Sequence, residues 1–259
     1  MIRRRSPGRT KVPATDPATA GLVATGITRA FRGVQALRGV DLRVARGEVM
    51  GLIGPNGAGK STLVNILTGY DRADQGRILM DGVDLTRTGA RERSRGGIAR
   101  TFQHGHTYAG LTVRENVEVA ALGARRSTRQ ARADAAELLA LMGAADRADQ
   151  PARSLPHGLQ RRVGMARALA ARPQFLLLDE PAAGLNDGEI GQFGRTIAEL
   201  AGSQGIGILL IDHNIRLIMS VCDRIHVLVE GKSFLEGTPA EVRGSAALVE
   251  AYLGRSGNV

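Results

Sequence analysis

The sequence predicts an α/β fold in which a parallel sheet is joined to an inserted helical subdomain. Short apolar runs bounded by turn residues alternate with amphipathic stretches near both ends of the chain, a pattern typical of parallel strands linked by helices. Between about residues 86 and 172 the chain is rich in Ala and Arg and has mostly helical spacing. A chain of 259 residues, 43% of them apolar, is long enough for one large domain with a subdomain.

Strands and one helix are predicted for the first part of the chain. Segments 22–28 and 39–54 are predicted strands, the second broken by an Arg-Gly turn. RILMDGVDL is predicted to be a strand with its turn. Between them lies a helix, whose shared face has the spacing of Leu63, Ile66, Leu67 and Tyr70.

The helical insert and the rest of the sheet come next. The clear helices of the insert are TVRENVEVAAL, RQARADAAELLALMG and LQRRVGMARALAA. After the insert, QFLLLDEP and IGILLID are predicted buried strands, each followed by a helix, and RIHVLVEGKSFLEG is a predicted hairpin. TPAEVRGSAALVEAYLG is expected to end the chain in helices.

Composition narrows the class of protein. Aromatic residues make up only 3% of the chain and Trp is missing, so a stacking platform for single-stranded nucleic acid is not expected. No apolar run approaches the roughly 18–20 residues that cross a bilayer, and we predict no membrane-spanning segment. The single cysteine, Cys222, leaves no internal disulfide or cysteine-based zinc site, and we expect it to be buried.

Basic residues give the chain a net charge of +10 and are concentrated in two places. Segment 1–21 has several Arg and Pro residues and no apolar periodicity, and it is predicted to be a disordered arm without a secretory signal. The positive charge of the two segments favours binding to DNA or to an anionic membrane face. A solvated helical surface is an equally good interpretation. The second cluster comprises Arg91, Arg93, Arg95, Arg100, Arg125, Arg126, Arg129 and Arg132.

A phosphate-binding loop is predicted at GPNGAGKST, which fits G-x-x-x-x-G-K-[ST] and lies between an apolar strand and an amphipathic helix. Glycines allow backbone N–H groups to turn toward phosphates, and the helix adds its positive N-terminal end. Lys60 is expected to reach the β- and γ-phosphates, and the Ser61 hydroxyl to bind Mg²⁺. The predicted nucleotide-binding residues of this loop are Gly54, Pro55, Asn56, Gly57, Ala58, Gly59, Lys60, Ser61 and Thr62.

Candidate catalytic residues come after two of the predicted strands. The run FLLLDE places Asp179 and Glu180 at the C-terminal end of a buried strand, where ligands bind in open α/β sheets. Asp179 suits a contact with Mg²⁺, and Glu180 suits a general base that polarises an attacking water. His213 follows the next strand, so we expect it at the same sheet edge and in contact with the γ-phosphate.

Together these motifs resemble the nucleotide-binding subunit of an ABC transporter. The phosphate loop, a glutamine loop RTFQH, a loop and helix containing GLQRR, the acidic strand and the following His occur in the family's order. The resemblance covers nearly the whole chain after residue 21. DEPAAGLN, IDHNIRLIMSVCDRIHVLVEGK and the C-terminal segment are similar to the ATPases of branched-chain amino-acid uptake systems. The family implies a P-loop NTPase core with an N-terminal antiparallel β part and an inserted α-helical subdomain.

The resemblance also implies boundaries, cofactors and partners. The ABC ATPase domain is expected at 22–254, with its helical subdomain at about 104–172 and a tail at 255–259. ATP and Mg²⁺ are the implied cofactors. The implied partners are separate transmembrane permease subunits, a second ATPase subunit (a copy or a paralogue) and, indirectly, an external solute-binding protein. This arrangement would place the chain on the cytoplasmic face of the plasma (inner) membrane.

Further roles carry over at matching positions. Phe31 matches the aromatic residue that stacks on adenine, and a core Phe is the alternative. Gln103 matches the glutamine that senses Mg²⁺ or water and faces the membrane partner. His104 and His106 lie beside it, but no third metal ligand is near in the sequence. AAGLN matches the loop that crosses between two ATPase subunits, where this chain has Asn186 in place of the usual Asp.

LPHGLQRR aligns with the family signature LSGGQ and departs from it. Gly158 is kept, whereas Pro156, His157 and Leu159 replace the Ser, the first Gly and the Gln. The backbone N–H groups of Gly158, Leu159 and Gln160 are expected to face a phosphate at a helix N-terminus. Loss of one hydroxyl bond to a charged group costs about 1.5–3 kcal/mol, which weakens closure without abolishing it. The alternative is a loop without nucleotide contact.

Three functions are compatible with the sequence. The first is an ATPase that powers solute import, with branched-chain or related amino acids implied by the resemblance. The second is a soluble ABC-type ATPase acting on DNA or ribosomes, which the basic charge supports; long heptad repeats, zinc cysteines and a second cassette are missing from this sequence. The third, a nucleotide-binding regulator with weak hydrolysis, rests only on the altered signature.

Overall fold

Two β-sheets frame the molecule, and the computed structural model describes residues 20–101 and 107–245. The smaller sheet consists of β1 (Leu22–Phe31), β2 (Val34–Val44), β4 (Gln75–Met80) and β5 (Val83–Asp84). The larger sheet consists of β3 (Val49–Ile53), β6 (Ile98–Arg100), β7 (Phe175–Asp179), β8 (Gly207–Ile211), β9 (Arg224–Val229) and β10 (Lys232–Gly237).

The two sheets differ in strand direction. The smaller sheet has the order β2-β1-β4-β5 and is antiparallel. The larger sheet has the order β10-β9-β3-β8-β7-β6, and β3, β6, β7, β8 and β9 run parallel while β10 pairs antiparallel with β9. The predicted parallel-rich core with an N-terminal antiparallel part is therefore confirmed.

The helices lie between and after the strands. Helices α3 (Val113–Gly123), α4 (Thr128–Leu141) and α5 (His157–Ala170) follow one another between β6 and β7, where the sequence predicts a helical insert. Their N-termini are well capped: Thr112 and Ser127 accept hydrogen bonds from the third helical N–H of α3 and α4. The helices are α1 (Lys60–Thr68), α2 (Ala90–Gly96), α3 (Val113–Gly123), α4 (Thr128–Leu141), α5 (His157–Ala170), α6 (Asp187–Gln204), α7 (Ile215–Val221) and α8 (Pro239–Gly244).

The larger sheet separates two hydrophobic cores, because successive side chains of a strand point to opposite faces. On β7, Leu176 and Leu178 pack into the core that contains residues of α3 to α6. Phe175 and Leu177 pack into the core that contains α1 and the smaller sheet. All four side chains are fully buried, which explains why the run before the acids is continuously apolar.

Helix α1 ends earlier than the apolar spacing predicts. Gly69 has a φ of 78° and its N–H bonds back to the carbonyl oxygens of Asn65 and Ile66, so the left-handed residue stops the helix after Thr68. Tyr70 consequently leaves the buried face and is 60% exposed. Its predicted place beside Leu63, Ile66 and Leu67 is wrong.

Strand β6 lies inside the interval predicted to be mostly helical. Ile98, Ala99 and Arg100 pair in parallel with the first three residues of β7. Three residues are too few to show a strand period, and the preceding Gly97, with a φ of 106°, ends α2 without indicating that a strand comes next. Pairing with β7 therefore determines this strand, and periodicity does not reveal it.

The second basic cluster is divided among separate sites. Arg93 is only 2% exposed; it donates to the carbonyl oxygens of Leu67 (2.9 Å), Leu85 (2.8 Å) and Ile66, and so satisfies the C-terminal end of α1. Burial lowers the pKa of its guanidinium to about 10. Arg126 forms an ion pair with Asp134, which is itself largely buried. The interpretation as a solvated surface is thus wrong for Arg93, whereas other members of the cluster are exposed, namely Arg91, Arg95, Arg125, Arg129 and Arg132.

The ends of the described chain are partly anchored. Gly21, which the sequence analysis assigned to the arm, exchanges two hydrogen bonds with Asp81. Residues 1–19 and the helices predicted beyond 245 lie outside the described residues.

Cys222 is buried as expected, and burial raises the pKa of its thiol to about 12. Among the described helices, none combines the length and apolar character needed to cross a membrane.

Candidate functional site

The predicted phosphate loop connects the end of β3 to the start of α1. Two of its glycines are sterically required. A Cβ on Gly54 would lie 2.1 Å from the carbonyl oxygen of Leu228, and one on Gly59, whose φ is 103°, would lie 2.6 Å from that of Ala36. The tight loop turns its backbone over the helix start, where N–H groups and the helix dipole favour anionic phosphates.

Lys60 is the first residue of α1, and its side chain folds back over the loop. The Nζ atom donates to the carbonyl oxygens of Gly54 at 2.7 Å and Pro55 at 3.0 Å. Burial lowers the pKa of Lys60, while the carboxylates of Glu180 and Asp179 oppose that shift. The two acids, distant in sequence, therefore lie close enough to Lys60 to affect its pKa.

Glu180 has an unusual backbone conformation directly after β7. Its φ is 49°, which a residue with a side chain rarely adopts, and its N–H donates to the carbonyl oxygen of Ile211 at 2.7 Å. Its Oε1 atom is 2.8 Å from Nε2 of His213, which follows β8. The structure thus brings the predicted base and the predicted γ-phosphate contact together at one sheet edge.

Asp179 is held by the edge strand β6. Its Oδ2 atom accepts a hydrogen bond from Arg100 at 2.7 Å, and its N–H donates to Thr101 Oγ1 at 3.3 Å. The hydroxyl of Ser61 and the carboxylate of Asp179 are hard oxygen ligands of the kind that Mg²⁺ prefers. Ser61 is exposed in the first turn of α1. The donor set therefore fits a magnesium ion shared with phosphate oxygens.

Asp212 is a site residue that the sequence analysis missed. It is 7% exposed, and its two carboxylate oxygens accept hydrogen bonds from the N–H groups of Ala182 at 2.9 Å and Asn214 at 2.8 Å. It thereby ties the loop after Glu180 to the loop that carries His213. The available signal was an acid at the end of a buried strand, the same pattern that identifies Asp179.

Phe31 lies at the end of β1, before a two-residue turn formed by Arg32 and Gly33, both with positive φ. It is 43% exposed, so the alternative of a core Phe is wrong. The guanidinium of Arg29 lies 4.6 Å from the ring centroid and is held by Asp74. An exposed aromatic ring at a supported strand end suits stacking against a flat base.

The signature segment opens helix α5. Pro156 is the N-cap and supplies no side-chain hydrogen bond, and His157 is exposed. The N–H of Gln160 donates to the carbonyl oxygen of Pro156 at 3.0 Å, so it closes the first helical turn and cannot face a phosphate as predicted. The helix N-terminus retains Gly158 and Leu159 at positions whose N–H groups have no partner within an α-helix.

The loop AAGLN packs against this helix within the same chain. A Cβ on Gly158 would lie 3.7 Å from Leu185, and Arg162 forms an ion pair with Glu189 of α6 at 2.9 Å. Asn186 caps α6 by accepting a hydrogen bond from the N–H of Glu189. Because Asn and Asp are equally good N-caps, replacing the family's Asp preserves this local structure.

Some predicted residues cannot be compared with the structure. Gln103, His104 and His106 lie outside the described residues. Over residues 20–101 and 107–245, no group of three or more His, Cys, Asp and Glu side chains could hold a metal by itself. A metal at the acidic strand would accordingly need the Ser61 hydroxyl and ligand oxygens as well.

A family model described as "ABC transporter" matches residues 37–183, more than half of the chain. The chain belongs to the ABC transporter family. BraF of Pseudomonas aeruginosa and LivG of Escherichia coli (strain K12), two high-affinity branched-chain amino acid transport ATP-binding proteins, are each 36% identical over 250 residues, which cover 91% of this chain and 98% of the relative. LptB of Haemophilus influenzae, a lipopolysaccharide export ATP-binding protein, is also 36% identical, over 90% of this chain and 97% of LptB.

Solved structures of the family have the same fold. The ADP conformation of the cassette MJ1267 superposes with a TM-score of 0.79 at 30% identity, covering 90% of this chain and 98% of that one. The dimeric cassette MJ0796 gives 0.77 at 26% identity, covering 84% and 98%. Membership in the ABC family and the similarity to branched-chain transport ATPases are thus confirmed, and with them nucleotide binding and ATP hydrolysis. None of these similarities supports an ATPase acting on DNA or ribosomes.

Proposed function

We propose that this chain is the Mg²⁺-dependent ATPase subunit that powers solute import through separate permease subunits. The observation that carries the proposal is the convergence of the Lys60, Asp179, Glu180 and His213 side chains at the C-terminal edge of the parallel sheet. Lys60 follows β3, Asp179 ends β7 and Glu180 comes directly after it. His213 follows β8, which lies between β3 and β7 in the sheet. Such an edge is where open α/β sheets bind ligands.

Lys60 would bind the β- and γ-phosphates. In this structure its ammonium contacts two neutral carbonyl oxygens, at Gly54 and Pro55. Phosphate oxygens would replace them and add attraction between opposite charges to hydrogen bonds that the ammonium already makes charge-assisted. The loop glycines and the start of α1 would supply backbone N–H groups, and Phe31 would stack on the adenine.

Glu180 would orient the attacking water and accept its proton. The 2.8 Å contact with His213 holds the Glu180 side chain, and the imidazole of this histidine, whose side chain is 56% exposed, would contact the γ-phosphate. Ser61 and Asp179 would hold Mg²⁺, with Gln103 as a further contact. When bound, Mg²⁺ supplies positive charge that offsets the negative charge of the phosphates.

A second ATPase subunit would complete the site. The N-terminus of α5, with Gly158 and Leu159, would face the γ-phosphate of ATP held by the partner, as the resemblance implies. The dimeric MJ0796 structure supports pairing of cassettes. At the cytoplasmic face of the inner membrane, ATP would draw the two ATPase subunits together and hydrolysis would release them, and the transmembrane permeases would respond to this cycle.

The proposed cargo is a branched-chain or related amino acid. The names of BraF and LivG support it, as does the subgroup resemblance of DEPAAGLN and IDHNIRLIMSVCDRIHVLVEGK. LptB is equally identical, so overall identity alone does not separate import from lipopolysaccharide export. Co-purification with permeases and a solute-binding protein that retains leucine or valine would support the proposal. A lipid-export partner would contradict it.

Glu180→Gln tests the proposed chemistry. The amide cannot accept the proton, so we expect ATP hydrolysis to fall about 10²–10⁴-fold while ATP-bound dimers accumulate. Steady-state phosphate release and size-exclusion chromatography with ATP measure the two effects. Glu199→Gln, on the exposed face of α6, is the matched control and should leave both unchanged. Full turnover by Glu180→Gln would show that Glu180 is not the general base.

A further inference from the structure

Arg100 connects the two elements that carry the proposed magnesium ligands. Its Nη2 atom donates to Asp179 Oδ2 at 2.7 Å, and its Nη1 atom donates to Asn65 Oδ1 at 2.5 Å. Asn65 lies on α1, about one turn after Ser61, and Asp179 ends β7. One guanidinium therefore links the helix that begins at the phosphate loop to the strand that ends in the acids.

This contact is well shielded from water. The side chains of Arg100 and Asp179 are 10% and 14% exposed. Coulomb attraction at such a site is weakened far less by solvent than at the surface, so the pair has a fixed geometry. The planar guanidinium, which donates to Asn65 and Asp179 at once, fixes direction as well as distance.

The backbone of β6 reinforces the same arrangement. Arg100 pairs with Leu177 of β7, and the N–H of Thr101 donates to the Leu177 carbonyl oxygen at 2.9 Å. The Thr101 hydroxyl accepts the N–H of Asp179 at 3.3 Å. Both the main chain and the carboxylate of Asp179 are thus held from the edge strand.

We propose that Arg100 is a positioning residue for the magnesium side of the site: it holds Asp179 by Oδ2 and leaves Oδ1 directed to the metal's coordination shell. The inference rests on the proposed function. Among the described residues, no hydrogen bond involves Oδ1 of Asp179. Carboxylates that bind metals depend on such outer hydrogen bonds for their orientation.

The hydrogen bond from Arg100 to Asn65 bears on whether Arg100 supports Mg²⁺ binding at Asp179 or competes with it. Asn65 holds Arg100 independently of the carboxylate, which keeps the guanidinium in place when the metal binds the other oxygen. Arg100 accordingly favours metal binding.

The test is the Mg²⁺ dependence of nucleotide binding by Arg100→Met. Affinity for a fluorescent, non-hydrolysable ATP analogue is measured in EDTA and across a Mg²⁺ titration. We expect the Mg²⁺ concentration for half-maximal enhancement to rise about 10–100-fold, the usual cost of removing an outer partner of a metal ligand. Affinity in EDTA should stay within about twofold, since the phosphate loop is untouched.

Two further variants make the result specific. Asn65→Ala removes only the anchor of Arg100 and should raise the Mg²⁺ requirement about 3–10-fold, less than the loss of a direct outer partner of the metal ligand. It also carries the test, with Arg100→Lys, if Arg100→Met does not fold. Arg126→Met removes a similarly shielded ion pair with Asp134 of α4 and should change neither measurement.

Each other outcome is informative. A lower Mg²⁺ requirement in Arg100→Met would mean that Arg100 competes with the metal, and an unchanged requirement that it does nothing for the metal. Equal losses with and without Mg²⁺ would indicate a merely structural role. All three would overturn the inference. Failure of the unmodified chain to bind nucleotide even with Mg²⁺ would instead contradict the proposed function, so the two failures are distinguishable.

Discussion

The phosphate loop and the signature loop both open a helix, and they have been preserved to different degrees. At the start of α1, Gly59 has the backbone freedom that the turn requires, and Lys60 reaches over the loop. At the start of α5, Pro156 provides no capping side chain, and the exposed His157 stands where the family has Gly. The loop that would act on the chain's own ATP is complete, and the loop that would act on a neighbour's ATP retains backbone groups alone.

This difference between the two loops indicates which of the two proposed roles tolerates the loss of side chains. The proposed hydrolysis depends on side chains with particular chemistry, namely an ammonium, two carboxylates and an imidazole, and each is present. Contact with the partner's γ-phosphate can use main-chain N–H groups at a helix N-terminus, which every residue except proline supplies. An ATPase pair could therefore contain one weak and one strong closure site if the partner is a paralogue with an intact signature.

The largest effect is expected for Lys60→Ala, which tests the complete loop. Removing an ammonium that contacts two phosphates should weaken ATP binding at least about 100-fold, because each charged hydrogen bond is worth about 1.5–3 kcal/mol. Equilibrium binding of a fluorescent ATP analogue measures the change. Lys232→Ala, an exposed lysine on β10, should bind ATP normally. Undiminished binding by Lys60→Ala would contradict the assignment of the phosphate loop.

An intermediate effect is expected for Asp212→Ala, which tests the scaffold around the catalytic acids. The N–H groups of Ala182 and Asn214 would lose their acceptor, which should lower the free energy of unfolding by about 1–3 kcal/mol. Hydrolysis should fall more than ATP affinity, since the phosphate loop is not disturbed. Chemical denaturation and steady-state kinetics measure both, and Asp149→Ala, at an exposed position, is the control.

Equal losses of affinity and turnover in Asp212→Ala would show that the residue supports the whole fold and has no particular effect on the loops after β7 and β8. Restored turnover in Asp212→Asn would indicate that one acceptor oxygen is enough to hold Ala182. Either result would show how far the positions of Glu180 and His213 depend on the buried carboxylate of Asp212.

The smallest effect is expected for Pro156→Ser, which tests the reduced loop. A Ser N-cap should stabilise α5 by about 1 kcal/mol. If the loop contacts a partner's γ-phosphate, ATP-driven dimerisation should also tighten about 10-fold, from one restored bond to a charged group. Sedimentation in the Glu180→Gln background measures the dimer. A higher Tm without tighter dimerisation would show that the hydroxyl only caps the helix.

The sequence predicts the site best where function depends on residues adjacent in the chain. GPNGAGKST and FLLLDE contain their own strand, turn and chemistry, so Lys60, Asp179 and Glu180 are apparent without a structure. The convergence of these segments results from the parallel strands, because their C-terminal ends meet at one edge. His213 was predicted on the same argument, and the structure brings it to Glu180.

Residues whose role depends on a distant partner were not predictable. Arg93 has the sequence context of a surface arginine, and only the fold shows that it satisfies the end of α1. Strand β6 is too short to have a period of its own, and without it the contact of Arg100 with Asp179 could not be foreseen. Asp212 differs, since its place after a buried strand was visible and no role had been assigned to it.

Strand β7 has a mechanical consequence for catalysis. Its side chains alternate between two separate cores, and its last residue and the one after it are the proposed metal ligand Asp179 and the proposed base Glu180. The two acids therefore follow directly from a strand that is packed on both faces, with the helical insert on one side and the phosphate-loop helix on the other. Displacement of the insert by a membrane partner would act on Leu176 and Leu178, which lie in the same core as the insert, and through them on the strand that carries the acids.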